Sequence, residues 1–181
     1  MRSRGSEGAR VLSVDVGSSS VRAEFYDDSG TREEGTETKL GYELEYSPDG
    51  GVTKDADELL ELIARAIDGA LSNAGNAPVS GVAMSTFWHS VLGLDREGRP
   101  TTPVLYWADR RAAGAARELR ESLDEAAVHR RTGCVLHSSY WPAKLLWLSR
   151  ERAEAFQRSE RWVSPGDYFY ECYFDGSHVG T

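Results

Sequence analysis

Apolar and polar positions change period several times along the chain, and each change predicts an element. Residues 1–9 are polar and Gly-containing, without periodicity, and are expected to be a disordered tail. From Arg10, RVLSVDVG is a nearly continuous apolar run that stops at Gly17, and it predicts a central strand covered on both faces. SVRAEFYDD then alternates, with Val21, Ala23 and Phe25 on one side and Arg22, Glu24 and Tyr26 on the other, the period of a second strand. Beyond the turn cluster Asp27-Asp28-Ser29-Gly30, residues 31–40 predict a third, antiparallel strand. Residues 41–53 carry no decided pattern, and Pro48-Asp49-Gly50-Gly51 marks a turn before a helix. In that helix Leu59, Ile63, Ala66 and Ala70 recur with Leu60, Ile67 and Leu71 on one face. Asp55 and Glu58 have the spacing of a capping box, and Gly75 with Pro78 ends the element.

VSGVAMS reads as another buried strand, and SVLGLDREGRPTTPVLYW as a hairpin turning around Arg96 to Gly98. Helical composition follows over residues 112–123, 124–131, 141–148 and 151–156, with the loop TGCVLHSS before the third of these. RWVS is a short strand leading to a helical segment near Asp167. There is no internal repeat and no low-complexity tract. The order βββαβ followed by helices is that of an α/β layer of the ribonuclease-H-like, or actin-like, kind, a mixed sheet with helices on its faces.

Composition narrows the function more than the fold. With 181 residues and 40% hydrophobic positions, the default is one domain with a well-buried core. A formal charge of −8 gives no general attraction for nucleic acid or anionic lipid, and no stretch is basic enough to reverse that. Cys134 and Cys172 are too few and too far apart for a disulfide framework or a close-spaced zinc pair. No apolar run approaches the ~20 residues of a membrane span or follows the N-terminal arginines as a signal peptide. A soluble, cytoplasmic protein is expected.

The most informative octet is DVGSSSVR, Asp15 to Arg22. An acid at a strand end, then Gly and hydroxyl residues, suits a hairpin whose backbone amides approach phosphate oxygens, with Gly17 permitting the approach. Asp15 suits a hydrated magnesium ion, which takes few carboxylates and keeps its waters, and Arg22 suits charge neutralisation nearby. Taken alone, the octet reads equally as a tight turn with a solvated acid. It is not a P-loop, since no Gly-Lys-Ser/Thr follows, nor a dinucleotide fingerprint, since a strand comes next.

Here the sequence resembles the FGGY family of carbohydrate kinases, which open with D-x-G-[TS]-[ST]-x-x-[RK]. Asp15, Gly17, Ser18, Ser19 and Arg22 match in order, with Ser18 where Thr is commoner. The resemblance implies an ATP phosphate site at Gly17, Ser18, Ser19 and Arg22, with Asp15 as the magnesium-associated acid. Met84 to Ala112, MSTFWHSVLGLDREGRPTTPVLYWADRRA, is similar to the family's strand, substrate loop, hairpin and W-x-D-x-R segment. That implies sugar contacts from Trp88 and His89, and from Trp107, Asp109 and Arg111. An indole wall, an imidazole and a carboxylate held by a guanidinium suit a polyol. Singly, each has a plainer reading: a loop histidine, a core tryptophan, a surface ion pair.

A third stretch carries T-G, K-L-x-W-L and W-x-x-x-x-D-Y through Thr132, Gly133, Lys144, Leu145, Trp147, Leu148, Trp162, Asp167 and Tyr168, most of them structural. Trp147 and Leu148 read as core. Ser139 and Tyr140 lie where the family brings a loop to the substrate. The resemblance spans residue 11 to about 181 and implies an incomplete N-terminal actin-like domain. The family's general-base aspartate would lie beyond Thr181, so none of these residues is assigned that role, and the second, nucleotide-binding domain is absent from the sequence. FWHS and YWADRR look closest to gluconokinase-like members, then xylulokinase-like ones.

The expected function is the front part of a kinase using ATP and Mg2+ on a sugar or sugar acid, inactive as this chain alone. A homodimer is one assembly open to the full-length protein. A non-catalytic sugar-binding or regulatory relative is the alternative; a ribonuclease-H-like nuclease ranks below both, for want of converging acids and a nucleic-acid surface.

Overall fold

The computed structural model describes residues 8–75 and 78–174. The tail expected over residues 1–9 therefore falls, except for residues 8 and 9, outside the described residues. In chain order the strands and first helix are β1 (Val11–Val16), β2 (Ser20–Tyr26), β3 (Thr38–Gly41), β4 (Glu45–Tyr46), β5 (Val52–Lys54), α1 (Ala56–Ala74), β6 (Gly81–Thr86), β7 (Leu92–Leu94) and β8 (Val104–Leu105). Then come α2 (Ala113–Ser122), α3 (Glu125–Thr132), α4 (Trp141–Glu151), α5 (Ala153–Arg158), β9 (Arg161–Val163) and α6 (Pro165–Tyr173). By internal contacts the chain divides into two units, Met1–Glu43 with Asp57–Thr86, and Leu44–Ala56 with Phe87–Thr181.

The first unit is a mixed sheet of order β3-β2-β1-β6, in which β1 is antiparallel to β2 and parallel to β6. Leu12, Val14 and Val16 of β1 and Val21, Ala23 and Phe25 of β2 are buried, as are Leu59, Ile63, Ala66 and Ala70 of α1. The helix approaches β3 closely at Gly69, where a Cβ would lie 2.5 Å from the Thr38 hydroxyl oxygen.

Three expectations change. β1 is central but buried on one face only: Ser13 is half-buried and Asp15 exposed. β6, expected to be buried, is one of the two outer strands of the four, and Val82 is 46% exposed. An apolar run does not distinguish a central strand from an outer one, because that depends on which strand pairs next to it. The third strand is shorter than residues 31–40. Thr36 takes over the pairing, its hydroxyl accepting from Phe25 N (3.1 Å) and donating to Glu33 O (2.8 Å), and Gly35 turns the chain at φ 79°. Regular pairing with β2 begins only at Thr38.

Within the undecided residues 41–53, Glu45 and Tyr46 pair with Thr53 and Val52 as the β4/β5 hairpin of the second unit, and β5 continues the sheet to β8. The predicted turn at Arg96 to Gly98 is present, with Asp95 N donating to Arg99 O and the Asp95 carboxylate accepting from Glu97 N and Arg99 N. α2, α3 and α4 lie within three residues of their expected bounds, and α5 starts two residues late. Asp124 caps α3 by accepting from Ala127 N, and Gly133 closes it in the left-handed region. Val91, Leu105 and Leu148 form a buried cluster with Trp141, Trp147, Phe156 and Trp162 packed against it. Among the described residues no helix is long and apolar enough to cross a membrane.

The β4/β5 turn has a further consequence for packing. A Cβ on Gly51 would lie 2.2 Å from Ser47 Oγ and 2.9 Å from Arg111 Cζ. Gly51→Ala is therefore expected to cost ~1–3 kcal/mol of stability, because Arg111 is held and cannot yield freely. Urea denaturation measures it, and a change below ~0.5 kcal/mol would contradict the crowding.

Candidate functional site

The first constellation lies in the β1/β2 hairpin. Gly17 N donates to Ser20 O (2.9 Å), closing a turn in which Ser18 and Ser19 are exposed. Tyr42 braces that turn, its N–H donating to Ser19 O (3.0 Å) and its hydroxyl to Gly17 O. A Cβ at Gly17 would meet only Ser20 O, at an ordinary 3.4 Å. The chain itself therefore does not require glycine there.

Asp15 is exposed at the end of β1, and Ser85 of β6 donates to its Oδ1 at 2.7 Å. Register places Ser85, Asp15, Arg22 and Lys39 in one row across four strands, so their side chains share a face. Arg22 pairs with Glu37 at 3.6 Å, too long for a hydrogen bond, and its buried Nε has no hydrogen-bond partner. Ser85 and Tyr42 escape sequence reading because their partners lie 70 and 23 or more residues away. Only the parallel β1/β6 pairing brings Ser85 to Asp15.

The second constellation lies wholly in the second unit. The loop after β6 stacks Phe87 on Tyr106, with ring centroids 4.3 Å apart. Trp88 is 78% exposed and meets His89 edge-on at 6.0 Å; His89 in turn meets Tyr140 edge-on at 4.5 Å. His89 has φ 62°, a left-handed conformation that no other non-glycine shares among the described residues. Its backbone is held by Lys144, a fully buried side chain of α4. Lys144 Nζ donates to the carbonyls of His89 (2.9 Å), Leu105 (3.1 Å) and Tyr106 (2.6 Å).

Burial pushes the Lys144 pKa down to about 8, opposed by the negative charge of Asp109 and assisted by the positive charge of Arg111. Desolvation, and then the Lys144 charge, also hold the His89 imidazole below its usual value. In the sequence Lys144 is one residue of the K-L-x-W-L spacing. A lysine one turn before buried Leu148 on the same helix face was the available sign of an internal charge.

Asp109 is 2% exposed, and both its oxygens are engaged. Oδ1 accepts from Arg111 N and Nε, and Oδ2 from Val52 N, Arg111 Nε and Arg111 Nη2 (2.6 Å). Arg110 N donates to Gly50 O and Tyr106 N to Val52 O, so the β4/β5 hairpin supports the W-x-D-x-R loop. The Arg111 guanidinium lies over the Trp147 ring at 4.6 Å. Asp109 thus spends its acceptors inside the protein while lining a groove of about 640 Å³, together with Trp107 (50% exposed) and Ser139. The structure brings Trp107, Asp109 and Ser139 together there. Trp88, His89 and Tyr140 form the adjoining aromatic chain, through the Tyr140 contact with His137. Arg110, Arg117 and Arg120, none of them singled out from sequence, also line the groove.

A mixed four-stranded sheet built in βββαβ order, with its helix α1, fits an α/β protein of the actin-like, ribonuclease-H-like class. Residues 10–180 match the FGGY family of carbohydrate kinases, N-terminal domain, and the chain belongs to that family. It is 25% identical over 166 residues to a gluconokinase of Bacillus subtilis (strain 168), covering 91% of this chain and 32% of that protein. It is 33% identical over 154 residues to a glycerol kinase of Citrifermentans bemidjiense, covering 83% of this chain and 31% of that protein. Among solved structures, a gluconate kinase from Lactobacillus acidophilus superposes with TM-score 0.83 at 22% identity, over 91% of this chain and 33% of that one. The chain spans about a third of the length of the relatives it matches.

Proposed function

We propose that the chain is the front part of a cytoplasmic ATP-dependent kinase that transfers the γ-phosphate to an alcohol group of a sugar or sugar acid, of the gluconate or pentulose class. The observation that carries this reading is the β1/β2 turn. Its glycine answers no steric need of the chain, two serine hydroxyls are exposed in it, and an exposed carboxylate stands at its strand end. A glycine the fold does not need suits close approach of an external group, here phosphate. The names of relatives, gluconokinase, xylulose kinase and glycerol kinase, support the same chemistry.

In this reading Gly17, Ser18 and Ser19 receive phosphate oxygens, and Arg22 adds positive charge to the same sheet face. Asp15 would hold magnesium through retained water. The residues fit that ion: Asp15 is an exposed carboxylate oriented by Ser85 beside the turn, and magnesium is usually held by one or two carboxylates with waters and phosphate oxygens. When bound, the ion neutralises charge developing on the transferred phosphoryl group. Ser85 orients the Asp15 carboxylate through Oδ1. On the substrate side Trp88 and Trp107 offer flat walls to a sugar, and His89, Ser139 and Tyr140 offer hydrogen bonds. Asp109 and Arg111 hold the loop that carries Trp107.

The test uses the protein carrying this chain. Gly17→Ala is expected to leave the melting temperature unchanged and to weaken Mg·ATP binding at least tenfold. Asp15→Asn should lower kcat by two orders of magnitude while sugar affinity stays within twofold. Calorimetry and a coupled ADP assay read these. Equal loss of nucleotide and sugar binding in Asp15→Asn would remove its assigned role. Sugar binding by the unaltered protein without any nucleotide binding would make it a sugar-binding relative instead.

A further inference from the structure

The groove of the second unit is rich in cationic donors: three of its lining residues are arginines, beside the Ser138 and Ser139 hydroxyls, which both donate and accept. α2 presents Ala113, Ala116, Arg117 and Arg120 to it, the i, i+3, i+4, i+7 stripe of one helix face. The two alanines leave a low floor, and the two arginines stand beside it. Arg120 is fixed, its Nε donating to Leu136 O (2.9 Å) with Glu125 at 3.8 Å. Arg110 and Arg117 have no acid partner among the described residues, although the chain carries a formal charge of −8 and Arg10, Arg99, Arg150 and Arg161 each pair with an acid. His137 adds a donor: its Nδ1 accepts from Ser139 N (3.2 Å), so in the neutral ring the proton sits on Nε2. The carboxylate that lines the groove, Asp109, is already engaged by Arg111 and Val52 N.

A neutral polyol needs acceptors for its hydroxyl protons as well as donors for its oxygens. Here guanidinium donors outnumber the two serine hydroxyls, so a group with acceptors alone matches the lining better, and a carboxylate takes guanidinium donors two at a time. We infer that the groove is a carboxylate subsite, with Arg110, Arg117 and Arg120 as its charged wall, so that the substrate served by this chain is a sugar acid. This rests on the kinase reading for the sugar, but the subsite itself rests on the groove alone.

Titration calorimetry of the protein carrying this chain with D-gluconate and with D-glucitol, the same carbon skeleton bearing an alcohol in place of the carboxylate, tests it, with acetate as a bare carboxylate. Gluconate is expected to bind at least tenfold tighter than glucitol, by a margin that shrinks with added salt. In Arg117→Gln and Arg110→Gln, both on exposed residues, that ratio should fall to within about threefold while glucitol affinity is kept. Equal affinity for the two ligands, or a ratio untouched by both variants, overturns the subsite and leaves the sugar reading standing. Acetate and gluconate binding equally, with the same loss in Arg117→Gln and no binding of glucitol, keeps the subsite and counts against the sugar. No binding of any of the three overturns the subsite.

Discussion

Asp109→Ala should destabilise the second unit by about 3–5 kcal/mol, the range for removing one partner of a buried ion pair. The loss exceeds that of the pair itself. Arg111, whose side chain is 13% exposed, would keep its charge without an acid, and Val52 N–H would lose its acceptor. The neighbouring Lys144 would lose the one negative charge that favours its protonated form and keep the repulsion of Arg111. Asp109→Asn retains an acceptor for Val52 but not the charge, and should recover only part of the loss. Equilibrium urea denaturation measures both. A cost below about 1 kcal/mol for the alanine variant would mean that the pair behaves as an exposed one.

Lys144 should make the same region more stable in alkali. Its folded pKa, about 8, lies below the unfolded value near 10.5, so between these values the unfolded chain binds more protons. Stability contributed by this group is lowest below pH 8, where a buried charge is maintained, and rises through the window from 8 to 10.5. The full rise is about 3 kcal/mol at ~1.4 kcal/mol for each pH unit. Lys144→Met should lack this rise, and comparing the two proteins across the window cancels tyrosines and cysteines that titrate there too. Parallel stability curves would sink the assignment. The variant should also free the His89 carbonyl, since those of Leu105 and Tyr106 keep the N–H groups of Val91 and Asp109 as donors. Altered substrate KM in the protein carrying this chain, with normal nucleotide KM, would mark Lys144 as a positioning residue for the loop of Trp88 and His89.

The same two residues show how much of the site could be read in advance. Asp109 was legible as a candidate because W-x-D-x-R is a local spacing. Its five hydrogen bonds were not, since one comes from Val52, 57 positions away, and the other four required the loop to fold Arg111 back on the carboxylate. Lys144 stood in the sequence as one more charge near an apolar stripe, and its three carbonyl partners lie 38 to 55 residues earlier. Arg117 and Arg120 fall in the segment of helical composition over residues 112–123 and carry no local signal of a site. Their meeting with His137 and Ser139 depends on how the loop before α4 lies against α2.

The sequence alone determined what arises within a few residues. Period-3.6 apolar stripes and turn residues located the helices, and alternation located β2. The Asp-x-Gly-Ser-Ser spacing located the hairpin turn, whose conformation depends on neighbouring residues. Tertiary structure decided which strands lie at the edges of the sheet, so that β6 is exposed where its apolar composition implied burial. It also decided which group meets which, joining Asp15 to Ser85 and Asp109 to Arg111 and Val52 N, and leaving Arg110 and Arg117 in the groove without an acid partner among the described residues. Strand order and long-range pairing are set by the packing energy of the whole unit, and a window of sequence holds only one side of each such contact.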